Sequence, residues 1–209
     1  MTALHDPRLG NACGGRPGEF HTWLEQLPLL EKLPFPQGYS DLRYNQEKGV
    51  LGIVTGVGSA RAAASIMALG MDPRFDLRKA YWLAAGIAGV NRNEGSIGSA
   101  AWAEWVIDGD LGFETDAREM PADWPTGFIP LGKAQPYEEP ATDNGGAVYH
   151  LDPGFVAWAY ELTKNIKLDD TEVMRNARAP YVGYTAAQLP PAMMFADQRD
   201  IAEIYSTNT

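Results

Sequence analysis

The chain has 209 residues, 45% of them hydrophobic, which suits one compact domain with a substantial apolar core. Its 17 Lys and Arg against 27 Asp and Glu leave a net charge of -10, which repels phosphate backbones and anionic lipid and excludes nucleic acid as a partner. Cys13 is the single cysteine, so an internal disulfide, a thiolate zinc cage and a Cys-X-X-Cys redox pair are all excluded.

Residues 1–16 are rich in Gly and polar groups without periodicity and read as a disordered lead-in. They show no basic start followed by an apolar stretch, so no signal peptide is expected, and the compartment, cytoplasmic or periplasmic, stays open. Phe20, Trp23, Leu24 and Leu27 fall at helical spacing and predict a short amphipathic helix that Pro28 ends. Pro34 and Pro36 then hold the chain extended. Gly49 to Val54 predicts a buried strand, Thr55-Gly56-Val57-Gly58 a tight turn, and Ser59 the N-cap of a helix from Ala60 to Leu69 closed by Gly70. Ala62, Ala63, Ala64 and Ala68 give that helix little volume, so it can approach a sheet closely. Arg74, Arg78 and Lys79 are interleaved with Asp72 and Asp76, which points to a solvated loop rather than an anion site. Ala80 to Ala85 predicts a second buried strand, completing a βαβ unit of a parallel sheet.

Gly86 to Gly98 bends the chain, Ser99 to Ile107 predicts a strand, and Leu111 to Glu114 another after the turn Asp108-Gly109-Asp110. Residues 121–146 read as a surface excursion. Asp152 and Pro153 open a helix to about Lys164 that places Phe155, Trp158, Ala159 and Leu162 on one face, and a further helix is expected from Asp170 to Arg178. The longest apolar run, Ala80 to Val90, is shorter than the ~20 residues of a membrane-spanning helix, so no span is expected. His5, His21 and His150 have no metal-ligand spacing; no metal and no cofactor are expected.

The candidate chemistry lies in two glycine turns, Thr55-Gly56-Val57-Gly58 and Gly86-Ile87-Ala88-Gly89, each after an expected strand. In an open parallel sheet ligands gather outside the carboxyl ends of the strands, so both turns would share one rim. Arg61 breaks the G-x-G-x-x-G pattern, and no P-loop is present. Trp102 and Trp105 offer faces for a purine, although a strand more often uses tryptophan in a core or interface. Asp108, Asp110, Glu114, Asp116 and Glu119 form an acidic series that could bind ribose hydroxyls or act as a general base, although such a run is usually a solvated strand-and-loop face.

The stretches TGVGSARAAASIMALG, DPRFDL, AGIAGVN and DAREMP, with PGEF, LPFPQGY and DPGFVAWAYELTK around them, resemble the purine nucleoside permease family over residues 17–191. That family is similar in turn to nucleoside phosphorylases and nucleosidases, which implies an α/β fold, a three-layer α/β/α arrangement around a mixed, mostly parallel sheet. By this resemblance Thr55, Gly56, Gly58, Gly86, Ala88 and Gly89 border the ribose end of a pocket; Trp105 and Asp108, from the aromatic and acidic groups above, are further ligand-binding candidates. The implied function is purine nucleoside binding and transport. Cleavage of the N-glycosidic bond and an inactive fragment are the alternatives. Ile87 stands where many relatives carry serine and cannot donate to phosphate, which counts against phosphorolysis and leaves phosphate a secondary partner. Residues 192–209, following Pro190-Pro191, read as a divergent tail. The chain is therefore expected to be an incomplete member, inclined to form a homo-oligomer through an open sheet edge.

Overall fold

The computed structural model describes residues 19–86, 88–108, 111–136, 138 and 148–196. They divide between two units, Met1–Ala88 and Gly89–Thr209.

In the first unit, α1 (Glu19–Gln26) turns Leu24 inward against Leu29, with Phe20 and Leu27 beside it, while Trp23 stays on the outer side. Strands β1 (Glu31–Leu33), β2 (Leu42–Asn45) and β3 (Val50–Gly52) form an antiparallel sheet in that order, with Leu33 opposite Leu42 and Arg43 opposite Gly52. Strand alternation sends Leu42 to one face, where it packs with Phe35 and Leu69. Gly52 lies on the other face, and a Cβ there would come within 2.6 Å of Phe20 and 3.0 Å of Leu29, so α1 packs against bare backbone. Arg43 is buried, and its Nε has no hydrogen-bond partner among the described residues.

The strand expected over Gly49 to Val54 is shorter, because Ile53 and Val54 leave the ladder. They remain packed in the two apolar clusters, and the Val54 carbonyl accepts from Ser40 Oγ at 3.4 Å. Helix α2 (Ser59–Gly70) begins one residue early, so Gly58 occupies the cap position expected for Ser59 and no side chain caps the helix. Ser65 and Leu69 are buried and Ala62 and Ala68 half-buried, whereas Ala63 and Ala64 face outward. The small-residue contact therefore involves two of the four alanines. Gly70 is the last helical residue rather than the stop; the Met71 amide closes the turn onto the Met67 carbonyl at 3.0 Å.

The buried strand expected over Ala80 to Ala85 is absent: Tyr81, Trp82 and Leu83 are exposed, and no strand pairs there. An apolar run becomes a strand only where a neighbour supplies ladder partners, and the described strands of this unit pair with one another. The expected βαβ unit is therefore not formed at this place.

The second unit does contain a parallel pair. Strand β4 (Ala100–Ala103) is followed after Glu104 by β5 (Trp105–Ile107), then β6 (Gly112–Glu114), β7 (Phe128–Pro130) and β8 (Val148–His150). Helices α3 (Pro153–Thr163), α4 (Glu172–Arg178) and α5 (Thr185–Gln188) lead to β9 (Met193–Ala196), which pairs in parallel with β4. β5 pairs with β8 and β6 with β7, both antiparallel. The single strand expected from Ser99 to Ile107 is split because Glu104 changes partner: its amide donates to the Ala196 carbonyl and its carbonyl accepts from the Leu151 amide.

Helix α3 starts as its sequence indicates, with Asp152 Oδ1 accepting from the Phe155 amide at 2.8 Å and Pro153 in the first turn. Its buried stripe differs from expectation. Val156 and Ala159 are buried, while Phe155, Trp158 and Leu162 are exposed. Trp102 Nε1 donates to Thr163 Oγ1 at 2.9 Å and the Tyr160 ring meets Phe195 edge-on at 5.4 Å, so polar and aromatic contacts to β4 and β9 set the rotation of the helix. Helix α4 is capped by Thr171, and buried Arg178 holds Asp170 through two bonds of 2.7 and 2.9 Å.

Candidate functional site

The first glycine turn lies between β3 and α2. Gly56 and Gly58 have φ of 83° and 93°, a left-handed backbone that favours glycine. Ser65 on α2 fixes the turn by donating to the Thr55 carbonyl at 3.4 Å, while its Oγ accepts from the Tyr39 amide at 3.3 Å. The Tyr39 ring lies against Gly56, where a Cβ would come within 2.8 Å of it, and Arg61 stands over the same ring at 5.9 Å. Around Gly58 a Cβ would meet nothing within 4 Å. The turn thus leaves open space before the N-terminus of α2, whose first turn carries no acidic residue and no side-chain cap, so its positive dipole end is not neutralised locally.

Gly86 and Ala88 are exposed at the end of the first unit and Gly89 is exposed at the start of the second. Ile87 lies outside the described residues, as do Gly109, Asp110, His5 and residues 1–16. The parallel pairing that suggested a common rim for the two turns is not among the described sheets.

Trp105 and Asp108 belong to the second unit. Trp105 is stacked on His150, with centroids 3.9 Å apart and planes 7° from parallel, and His150 Nε2 lies 2.8 Å from Glu104 Oε1. One face of the indole is therefore already occupied. Trp102 is pinned by Thr163 and serves the packing of α3. The acidic series divides: Glu114 and Asp116 line an open cleft of about 640 Å³ beside the β6–β7 ribbon, together with Met120 and Thr126. The Arg118 guanidinium and backbone amide hold the Asp116 carboxyl down to about 2. Asp72–Arg74 and Asp76–Arg78 repeat this Asp-x-Arg turn, with side-chain contacts of 2.6 and 2.7 Å. Their guanidinium groups are engaged by carboxylates, as the interleaved charges indicate.

Two groupings were not legible in the sequence. One is the Glu104–His150–Trp105 stack, formed across β5 and β8. The other is a cleft of about 380 Å³ in the second unit lined by Val90, Asn91, Arg92, Gly95, Ile97 and Tyr181, with Ala187 behind them. Residues 90–97 directly follow the second glycine turn, the only local signal that could have drawn attention to it.

Among the described residues no group of His, Cys, Asp and Glu could hold a metal ion, and no helix is long and apolar enough to cross a membrane. No solved structure matches the chain. Among curated proteins, it is 30% identical over 193 residues to a Schizosaccharomyces pombe protein named "Probable purine nucleoside permease", covering 86% of this chain and 55% of that protein. It is also 30% identical over 182 residues to the purine nucleoside permease of Candida albicans, covering 84% of this chain and 45% of that protein. The chain thus spans about half the length of these relatives. The family model described as purine nucleoside permease (NUP) matches residues 11–205, so the family pattern continues past residue 191 into the segment that contains β9. On this match across nearly its whole length, the chain belongs to the purine nucleoside permease family.

Proposed function

We propose that this chain binds a purine nucleoside and takes part in its transport, contacting the ribose with the turn Thr55, Gly56 and Gly58 and with Gly86, Ala88 and Gly89. The match to the purine nucleoside permease family over residues 11–205 carries this reading. The local geometry supports it: the left-handed glycine turn leaves open space at Gly58, and the uncapped helix end beside it offers backbone N–H donors to an oxygen-rich ligand. Within the second unit, Trp105 and Asp108 remain nucleoside-binding candidates, Trp105 through the indole face that His150 does not cover. In the wider proposal the fold is a three-layer α/β/α arrangement of the nucleoside phosphorylase kind.

Isothermal titration of the purified chain with inosine, adenosine and uridine tests this reading. Saturable binding of a purine nucleoside, without binding of uridine, is expected. Thr55→Val preserves shape and removes a hydroxyl whose one hydrogen-bond contact among the described residues is a 3.5 Å approach to the Gly56 carbonyl; it should weaken binding about tenfold if that hydroxyl holds the ribose. Unchanged affinity removes Thr55 from the site. Failure of every purine nucleoside to saturate the protein removes the binding function, and release of free base would replace it with glycosidic cleavage.

A further inference from the structure

Arg92 differs from most arginines of the described chain. Arg74, Arg78, Arg118 and Arg178 are each held by an aspartate. Arg92 has no carboxylate partner among the described residues; its guanidinium lies 4.3 Å over the Tyr184 ring instead. Stacking fixes the plane of a guanidinium through its face and leaves the N–H donors along its edge. The backbone beneath is also fixed. Asn91 Oδ1 accepts from the Asn93 amide at 3.0 Å, and the Asn91 carbonyl accepts from the Glu94 and Gly95 amides. Gly95 is buried, and a methyl group there would come within 2.7 Å of Val90 and 2.9 Å of the Met194 sulfur, so the floor of the cleft is closely packed.

The 380 Å³ cleft that Arg92 borders has a mixed lining: Val90 and Ile97 are aliphatic, Tyr181 is aromatic, and Arg92 contributes donors only. Its volume lies within the range of small-molecule sites. A bare phosphate would leave the aliphatic and aromatic surface unused, whereas a flat heterocycle with acceptors on one edge would use both. A guanidinium pairs bidentately with the O6 and N7 acceptors of a 6-oxopurine, while the N6 amino group of adenine would present a donor to a donor.

We infer that this cleft binds the base of a purine nucleoside and that Arg92 makes it select 6-oxopurines over 6-aminopurines. The inference rests on the purine nucleoside reading above and deepens it. The test compares inosine, guanosine, adenosine and inorganic phosphate by titration with the wild-type chain and Arg92→Gln. A Gln amide can both accept from N6 and donate to N7, so it matches adenine. Wild type should prefer inosine and guanosine over adenosine by at least about tenfold. Arg92→Gln should lose at least about tenfold in inosine affinity while holding or gaining adenosine affinity. Arg92 is exposed, so the variant should fold, which circular dichroism checks. Tyr184→Leu, which removes the ring that orients the guanidinium, should weaken inosine binding without reversing the preference. Equal affinity for inosine in wild type and Arg92→Gln overturns the inference and leaves the purine nucleoside reading standing. Phosphate binding that Arg92→Gln abolishes, with inosine unaffected, overturns it in favour of an anion site. Absence of any purine nucleoside binding by wild type overturns both.

Discussion

Asp116 and Arg43 show two opposite treatments of charge. Asp116 lies on an exposed turn, where the Arg118 guanidinium and amide hold its carboxyl at about 2 instead of the ordinary 3.8. Because the folded-state value is the lower one, the stabilisation is complete above about pH 4 and is lost as the pH falls through about 2. Carboxyl-carbon NMR should record that low midpoint, and Arg118→Gln should move it back toward 3.8. Arg43, by contrast, is only 7% exposed and leaves its Nε unpartnered. Burying a donor without a partner costs on the order of 1–3 kcal/mol, so Arg43→Met, which keeps the length and removes the donor, should stabilise the first unit by about 1 kcal/mol. A higher urea midpoint with an unchanged slope is the expected result; a lower midpoint would show that the guanidinium has a favourable partner.

At the scale of elements, the join between β3 and α2 is the most constrained part of the candidate site. Gly56 combines a φ of 83° with a Tyr39 ring that a Cβ would approach to 2.8 Å. Gly56→Val should therefore destabilise the first unit by about 2 kcal/mol or more through backbone strain and displacement of Tyr39, rather than acting on ligand alone. Thermal melting of this variant with and without inosine distinguishes the two effects, since a purely ligand-directed change would leave the unliganded melting temperature untouched. Helix α2 itself was legible from the turn, the alanine run and the closing loop. Its inward face was not, because Ser65 is chosen over Ala63 and Ala64 by its contacts to Thr55 and Tyr39. The same holds for α3, where Asp152 and Pro153 announce the start but Trp102, Thr163 and Phe195 decide which stripe is buried.

For the molecule as a whole, Tyr81, Trp82 and Leu83 form an exposed run at 86%, 53% and 57% exposure. Such a run favours association with other apolar surface. Light scattering should show concentration-dependent self-association of the purified chain, and Trp82→Glu combined with Leu83→Lys should shift it toward monomer. If the double variant associates as strongly as wild type, another surface is responsible.

Sequence alone determined the family, the negative charge, the capped start of α3, and the solvated character of the Asp-x-Arg loop. These depend on local chemistry: a cap needs a neighbouring oxygen, and an aspartate two residues before an arginine can reach both its amide and its guanidinium. Partners far apart in the chain were decided only by tertiary structure. β4 joins β9 across about ninety residues, so the parallel pair appears there and not at Ala80 to Ala85. Trp105 meets His150 because β5 and β8 are in register, and Arg92 faces Tyr184 because the turn after Gly89 and the segment before α5 converge. Hydrophobic periodicity states that a segment seeks cover, but the partner that supplies its hydrogen bonds and its packing is a property of the folded chain.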